Sequence, residues 1–127
     1  MTSVSEKSLY QRLGGYDAVA SFVDDLVPRL TSDPEIGVYW RGHCTNTMRR
    51  ERQLIVDFLC EALGGPVFYR GRDMKTSHEG LHISERDWEV FVGHTVATLD
   101  RLEVYGTERD DCLDVVAGIE VDVVERA

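Results

Sequence analysis

Apolar positions along the chain recur at intervals of three and four, separated by polar stretches that carry glycine or proline. In YDAVASFVDDLVPRL, Val19, Phe22, Val23, Leu26, Val27 and Leu30 share one stripe of a helix starting at Tyr16. Pro28 sits inside that stripe; its ring lacks a donor and crowds the preceding turn, which predicts a kink. A short amphipathic turn, SLYQRL, comes before it and stops at Gly14-Gly15. In SDPEIGVYW, Ser32 or Asp33 is the cap, Pro34 takes the first helical position, and a single turn ends in aromatics. RGHCTN reads as loop. TMRRERQLIVDFLCEALGG then predicts a long helix with Met48, Ile55, Phe58, Leu59, Ala62 and Leu63 on one side, stopped by Gly64-Gly65 and Pro66.

A glycine-punctuated loop follows, and a short turn presents His78. The next helix starts at Ser84, with Asp87 three residues on as its capping partner, and has Trp88, Phe91, Val92, Thr95, Leu99 and Leu102 as its apolar face. TERDDCLDVVAGIEVDVVERA predicts one last helix, acidic at its N-terminus as the helix dipole favours. No strand-period alternation, internal repeat or linker interrupts this order. The expected class is all-α, as a single domain over residues 1–127 with a polar segment at 1–8.

Composition narrows the partners. A formal net charge of −9 argues against nucleic acid, which calls for a basic face. No stretch approaches the roughly 18 apolar residues of a membrane span, and MTSVSEKS lacks the apolar run of a signal peptide. Cys44, Cys60 and Cys112 lack metal-motif spacing and read as reduced thiols. A cytoplasmic protein is expected.

Catalytic templates are missing: no phosphate-cradling glycine loop, no paired cysteine motif, no serine elbow. Among His43, His78, His82 and His94, only His78 and His82 are four apart, and Gly80 between them breaks the helix that a two-histidine zinc site needs.

Several stretches together resemble the truncated hemoglobins, the group I type of two-over-two globin. They are LYQRLGGYDAV, the aromatic pair Tyr39-Trp40, FLCEALGGP, the run from Tyr69 through Met74 and Lys75 to His78, and the segment from Ile83-Ser84 through Trp88 to VGH. The resemblance covers about Leu9 to Val124. It implies a heme b held by His78 as the axial iron ligand, a neutral imidazole whose second nitrogen donates to a nearby carbonyl or water. It places Met74 against the porphyrin and offers Tyr69, Arg70, Arg72 and Lys75 to the propionates. Trp40, Ile83, Trp88, Phe91 and Ile119 would line the cavity, although each also suits plain core packing. No histidine occurs in the final helix, so heme attachment is expected to be noncovalent.

The opposite side departs from the family pattern. Where a tyrosine and a glutamine are common, this chain has Val27 and Ile55, and with Leu54, Phe58 and Leu59 they form an apolar distal wall. A missing donor to dioxygen costs on the order of 1.5 kcal/mol in a dry pocket, so oxygen should leave quickly and carbon monoxide should be affected less. Glu51 lies one turn before Ile55. Gln53 points roughly 200° away from the ligand side on a helix of about 3.6 residues per turn. His43 sits in a loop longer than the common pattern and is a candidate sixth ligand; His94 suits packing. The expected function is binding of small gases (oxygen, carbon monoxide, nitric oxide) in the manner of an oxygen-binding or transport protein. A heme enzyme turning over nitric oxide or peroxide is the alternative, as is a sensor. A reductase is an expected partner, and the chain is expected to be a monomer or weak homodimer.

Overall fold

The computed structural model describes residues 7–126; most of the polar segment 1–8 lies outside them. In chain order the helices are α1 (Leu9–Leu13), α2 (Tyr16–Thr31), α3 (Thr45–Ala62), α4 (Met74–His78), α5 (Glu85–Arg101), α6 (Gly106–Ala117) and α7 (Glu120–Val123), with a 3-10 turn at Gly37–Trp40. No strand forms among the described residues, where one isolated bridge joins Ser84 to Arg126.

Helix α2 is the centre of the packing, lying against both α3 and α5. Its stripe divides between two core clusters. Val19 and Val23 meet Val56 and Cys60 of α3, while Leu26 and Leu30 meet Ile36. A third cluster, Ile83, Trp88 and Val123, closes the start of α5 against α7. On α3 the fully buried residues are Val56 and Cys60, which the expected apolar side omitted; Ala62 is exposed. The helix has two apolar stripes. Val56 and Cys60 lie on one, and Ile55 and Phe58 lie roughly 100° to 160° further round the helix and are half-buried.

The glycine pair closing α3 does two separate jobs. Gly64 adopts φ +91°, which a side chain resists, and Gly65 lies under the Tyr10 ring, where a Cβ would come within 2.6 Å of the ring carbon Cδ1. Tyr10 N–H donates to the Leu63 carbonyl at 2.9 Å, so α1 is fastened to the end of α3 at this point.

Three expectations change. Helix α2 runs through Pro28 to Thr31, and Ser32 N–H closes it on the Pro28 carbonyl at 3.1 Å. The proline lies in the last turn, so it removes the donor for one carbonyl, that of Asp24, without ending the helix. Helix α3 starts at Thr45, two residues early, with Cys44 as its N-cap. The last helix is two: α6 ends at Ala117, the chain tightens through Gly118 and Ile119, and α7 begins at Glu120. Glycine is a poor helix former, and the break lets Ile119 and Val123 both reach the third cluster. Ser84 and Asp87 do form the reciprocal cap of α5, whereas Asp33 caps a turn before the 3-10 segment, accepting from Glu35 and Ile36 N–H.

Candidate functional site

His78 is the last residue of α4, a helix of five residues. Asp73 begins that helix as its N-cap, accepting the Thr76 N–H at 2.7 Å, and Thr76 hydrogen bonding holds the Asp73 carboxyl below its ordinary range. The His78 ring is half-buried, and its Nδ1 lies 2.8 Å from the Met74 carbonyl. A carbonyl can only accept, so Nδ1 is the donor here, and in the neutral ring the lone pair is then on Nε2. Nε2 has no hydrogen-bond partner among the described residues. Ser77 Oγ also donates to the Met74 carbonyl, at 3.2 Å.

Behind His78 the chain turns sharply: Gly80 has φ +87° and His82, a non-glycine residue, φ +57°. This turn is hydrogen-bonded to the C-terminal segment. Glu125 accepts the Gly80 N–H at 3.1 Å and the His82 N–H at 2.7 Å, and these two amides hold its carboxyl below the ordinary range. Sequence reading gave Glu125 no role, because one more acid in an acidic chain carries no local signal.

Of the residues expected around the cofactor, Met74, Phe91 and Ile119 pack against Ile83 and Trp88, which are themselves 9% and 8% exposed. Trp88 and Phe91 rings lie 5.1 Å apart. Tyr39 bridges the second and third clusters, and its hydroxyl donates to Asp87 at 2.6 Å; burial foremost, and then this carboxylate, push the phenol up to about 12. That bond ties the 3-10 turn to the start of α5. Trp40 is half-buried against the second cluster.

On the other side, Val27, Ile55 and Leu59 come together around the first cluster, while Leu54 is half-buried outside it. Phe58 meets the Tyr69 ring edge-on, with centroids 5.3 Å apart. The Tyr69 hydroxyl is engaged within its own loop, donating to the Arg72 carbonyl at 2.6 Å, so the phenol is already satisfied. Arg70, Arg72 and Lys75 are exposed. Gln53 turns away as its helical angle required, donating to Tyr16 and Asp57. His94 bonds Asp33 at 2.7 Å and ties α5 to the turn before the aromatic pair. His43 and Glu51, weighed separately in the sequence, meet each other: Nδ1 lies 2.9 Å from the carboxylate, with both side chains about 30% exposed.

Two cavities bear on the site among the described residues. An apolar one of about 240 Å³ lies between α2, α3, α5 and α6 and borders Phe22, Leu59, Leu99 and Cys112. An open groove of about 650 Å³ runs along Val27, Pro28, Met48 and Arg49. All three cysteines are unpaired thiols, as expected. The exposed Cys44 at the α3 N-cap is held below the ordinary thiol range by Thr47, and burial pushes Cys60 up. No cluster of three or more His, Cys, Asp or Glu side chains suited to a metal occurs among the described residues, and none of their helices is long and apolar enough to cross a membrane.

A family model for bacterial-like globins matches residues 8–125. A group 1 truncated hemoglobin of Chlamydomonas moewusii is 32% identical over 119 residues, 92% of this chain and 68% of the relative. The truncated hemoglobin of Tetrahymena pyriformis in its Fe(III) form superposes with a TM-score of 0.85 at 23% identity, covering 93% of this chain and 98% of that one. The 2/2 hemoglobin of Synechococcus sp. PCC 7002, in the cyanomet state with covalently attached heme, does so with a TM-score of 0.83 at 25% identity, over 93% of this chain and 98% of that one. The arrangement of helices is the two-over-two sandwich that the sequence led us to expect.

Proposed function

The chain belongs to the bacterial-like globin family as a truncated hemoglobin of group 1 type, and from that premise we propose that it holds one heme b noncovalently through His78 and binds small diatomic gases. The heme would supply an iron able to take up oxygen, carbon monoxide or nitric oxide. The observation that carries the proposal is the state of the His78 ring. Its Nδ1–H is committed to the Met74 carbonyl at 2.8 Å, which fixes the tautomer and leaves Nε2 as a free lone-pair donor.

The apolar residues around it fit a flat, greasy cofactor. Phe58 is half-buried on α3 outside the core clusters, Ile55 is half-buried at the edge of the first one, and Met74, Trp40 and Phe91 are likewise only partly covered. Buried apolar area of this kind gives up about 25 cal/mol per Å² when covered. Arg72 and Lys75, exposed on either side of Asp73, supply cations for propionates; the satisfied Tyr69 phenol positions that loop instead.

Val27, Leu54 and Ile55 offer no hydrogen-bond donor, so we assign the ligand side to reversible gas binding with fast oxygen release, of oxygen-binding or transport type. A reductase that returns the iron to the ferrous state would complete the system. A second reading, a heme enzyme acting on nitric oxide or peroxide or a sensor with His43 as sixth ligand, draws on the His43–Glu51 pair at the start of α3. Such a pair can move a proton, and His43 must first leave Glu51 to reach iron.

Absorption spectra of the purified protein in ferric, ferrous and carbon monoxide forms test the proposal, together with His78→Ala. Wild type should bind heme and be five-coordinate when ferrous, and His78→Ala should stay helical but fail to retain heme. Normal heme content with an unchanged Soret band in the variant would sink the assignment. A six-coordinate ferrous spectrum without added ligand would favour the sensor reading.

A further inference from the structure

Helix α4 is too short to hold its own direction. Five residues form barely one hydrogen-bonded turn, and isolated helices of that length are not stable in water. Its N-terminal end is fixed by Asp73, but its C-terminal end, where His78 sits, opens into the turn through Gly80 and His82. His82 at φ +57° occupies a backbone region that non-glycine residues rarely adopt without support.

That support comes from two residues at the far end of the described chain. Glu125 takes the Gly80 amide on one carboxylate oxygen and the His82 amide on the other. Glu125 N–H donates to the Ile83 carbonyl at 2.8 Å, Arg126 Nε donates to the His82 carbonyl at 2.7 Å, and Glu85 N–H donates to the Arg126 carbonyl at 3.0 Å. The backbone from Gly80 to Glu85 is thus pinned on one side by Glu125 and Arg126, while α7 packs against α4 itself. Charge-assisted bonds from two amides to one carboxylate are the strong kind, and they define a direction as well as a distance.

We propose that Glu125 is a positioning residue for His78: by gripping the Gly80 and His82 amides it fixes the turn behind the imidazole and so the line along which Nε2 meets the iron. The inference rests on His78 being the axial ligand. Glu125 makes no hydrogen bond to the imidazole ring; its hydrogen bonds go to the loop amides behind it.

The test uses Glu125→Ala, Glu125→Gln and, as a control, Val123→Ala, which removes packing from the same segment but no bond to the turn. Three quantities are read on the heme-loaded protein: amide exchange at Gly80 and His82, the ferrous iron–histidine stretching band in resonance Raman, and the rate of hemin transfer to a scavenger. Glu125→Ala should speed exchange at both amides, move or broaden the band, and accelerate hemin loss by about tenfold, the scale typical of partners that orient a metal ligand. Glu125→Gln, equal in length and still an acceptor, should recover part of all three. Val123→Ala should lower the melting temperature and leave the band in place. An unmoved band with wild-type hemin loss in Glu125→Ala would overturn the proposal, as would a band shifted equally by Val123→Ala. Amide exchange at Gly80 and His82, repeated on the heme-free protein, reports on the clamp by itself. Retention of the iron–histidine band in His78→Ala would instead remove the ligand assignment, and the positional meaning of Glu125 with it.

Discussion

Helices α2 and α3, which carry Val27 and Ile55, hold each other through side chains fully withdrawn from water, whereas α4, which carries His78, is held at its ends by carboxylates. Val23, Val56 and Cys60 are 0% exposed, and the polar contacts between the two helices, Arg52 to Asp24 and Gln53 to Tyr16, lie at the exposed rim. Asp73 and Glu125 instead accept backbone amides at either end of the His78 segment. Close-packed apolar contact resists displacement in every direction, while a hydrogen bond fixes one line and can be released by a proton. One side of the molecule is therefore a rigid wall and the other an adjustable mount.

The contrast breaks most visibly in the wall. Leu26→Ala, at a residue 4% exposed between Leu30 and Ile36, should cost about 2–5 kcal/mol of global stability. Urea unfolding followed by circular dichroism should show a lower midpoint; an unchanged midpoint would mean that the wall is not the stable half.

Next in size is an effect on ligands. Val27→Tyr places a phenol on a wall that has no donor, and should slow oxygen release by about tenfold, equivalent to roughly 1.4 kcal/mol. Carbon monoxide release should change much less. Stopped-flow mixing and flash photolysis of wild type and variant measure both rates. Slow oxygen release already in wild type would point to Glu51 or His43 as an unrecognised donor and strengthen the enzyme reading.

How much of this was readable in advance follows the same division. The stripe of α2 was legible because each residue's neighbours lie three or four positions away in the chain; on α5 the same spacing finds Trp88, Thr95 and Leu99 but includes Leu102, exposed just past the helix end, and omits the fully buried Thr98. On α3 the periodicity is legible but its meaning is not: spacing puts Ile55 and Phe58 on the apolar side and omits Val56 and Cys60, which form the protein core. Two apolar stripes on one helix blur into one when read by spacing alone. Asp73 could have been found from its place before a short turn. Glu125 could not, since its partners are 43 and 45 residues away. His43 and Glu51 each stand out in the sequence, yet their pairing depends on how the loop folds back on α3. Gly118, an isolated glycine inside a helical pattern, was the available warning that the last helix would break.

The mount should respond to smaller changes. Asp73→Ala removes the α4 cap and should cost about 1 kcal/mol, confined to the His78 segment. Amide exchange at Ser77 and His78 should rise while the exchange of α2 and α3 stays as in wild type. A uniform loss across all helices would show that the two regions unfold as one.

The smallest effect is that of acid. Asp73 and Glu125 are both held below their ordinary carboxylate range, by Thr76 and by the Gly80 and His82 amides respectively. A lowered folded pKa contributes stability that is complete above the unfolded value and is lost as pH falls through the folded one. Between neutrality and the ordinary carboxylate range of roughly 4 the mount should be unaffected, and below it protection at Gly80 and His82 should fall before that of Val23 or Val56. Simultaneous loss at all four amides would erase the distinction.

The span between Glu125 and its partners also orders events in time. Asp73 finds Thr76 three residues away, as fast as a helical turn can form, but Glu125 must close a loop of more than forty residues before it can grip Gly80 and His82. Closing such a loop costs entropy that no local contact offsets until the ends meet. A refolding chain should then assemble its apolar wall first and pass through a stage in which His78 is present but free to swing. Competence to capture heme would arrive with the last long-range closure, so heme uptake should lag behind the recovery of helicity in a refolding experiment.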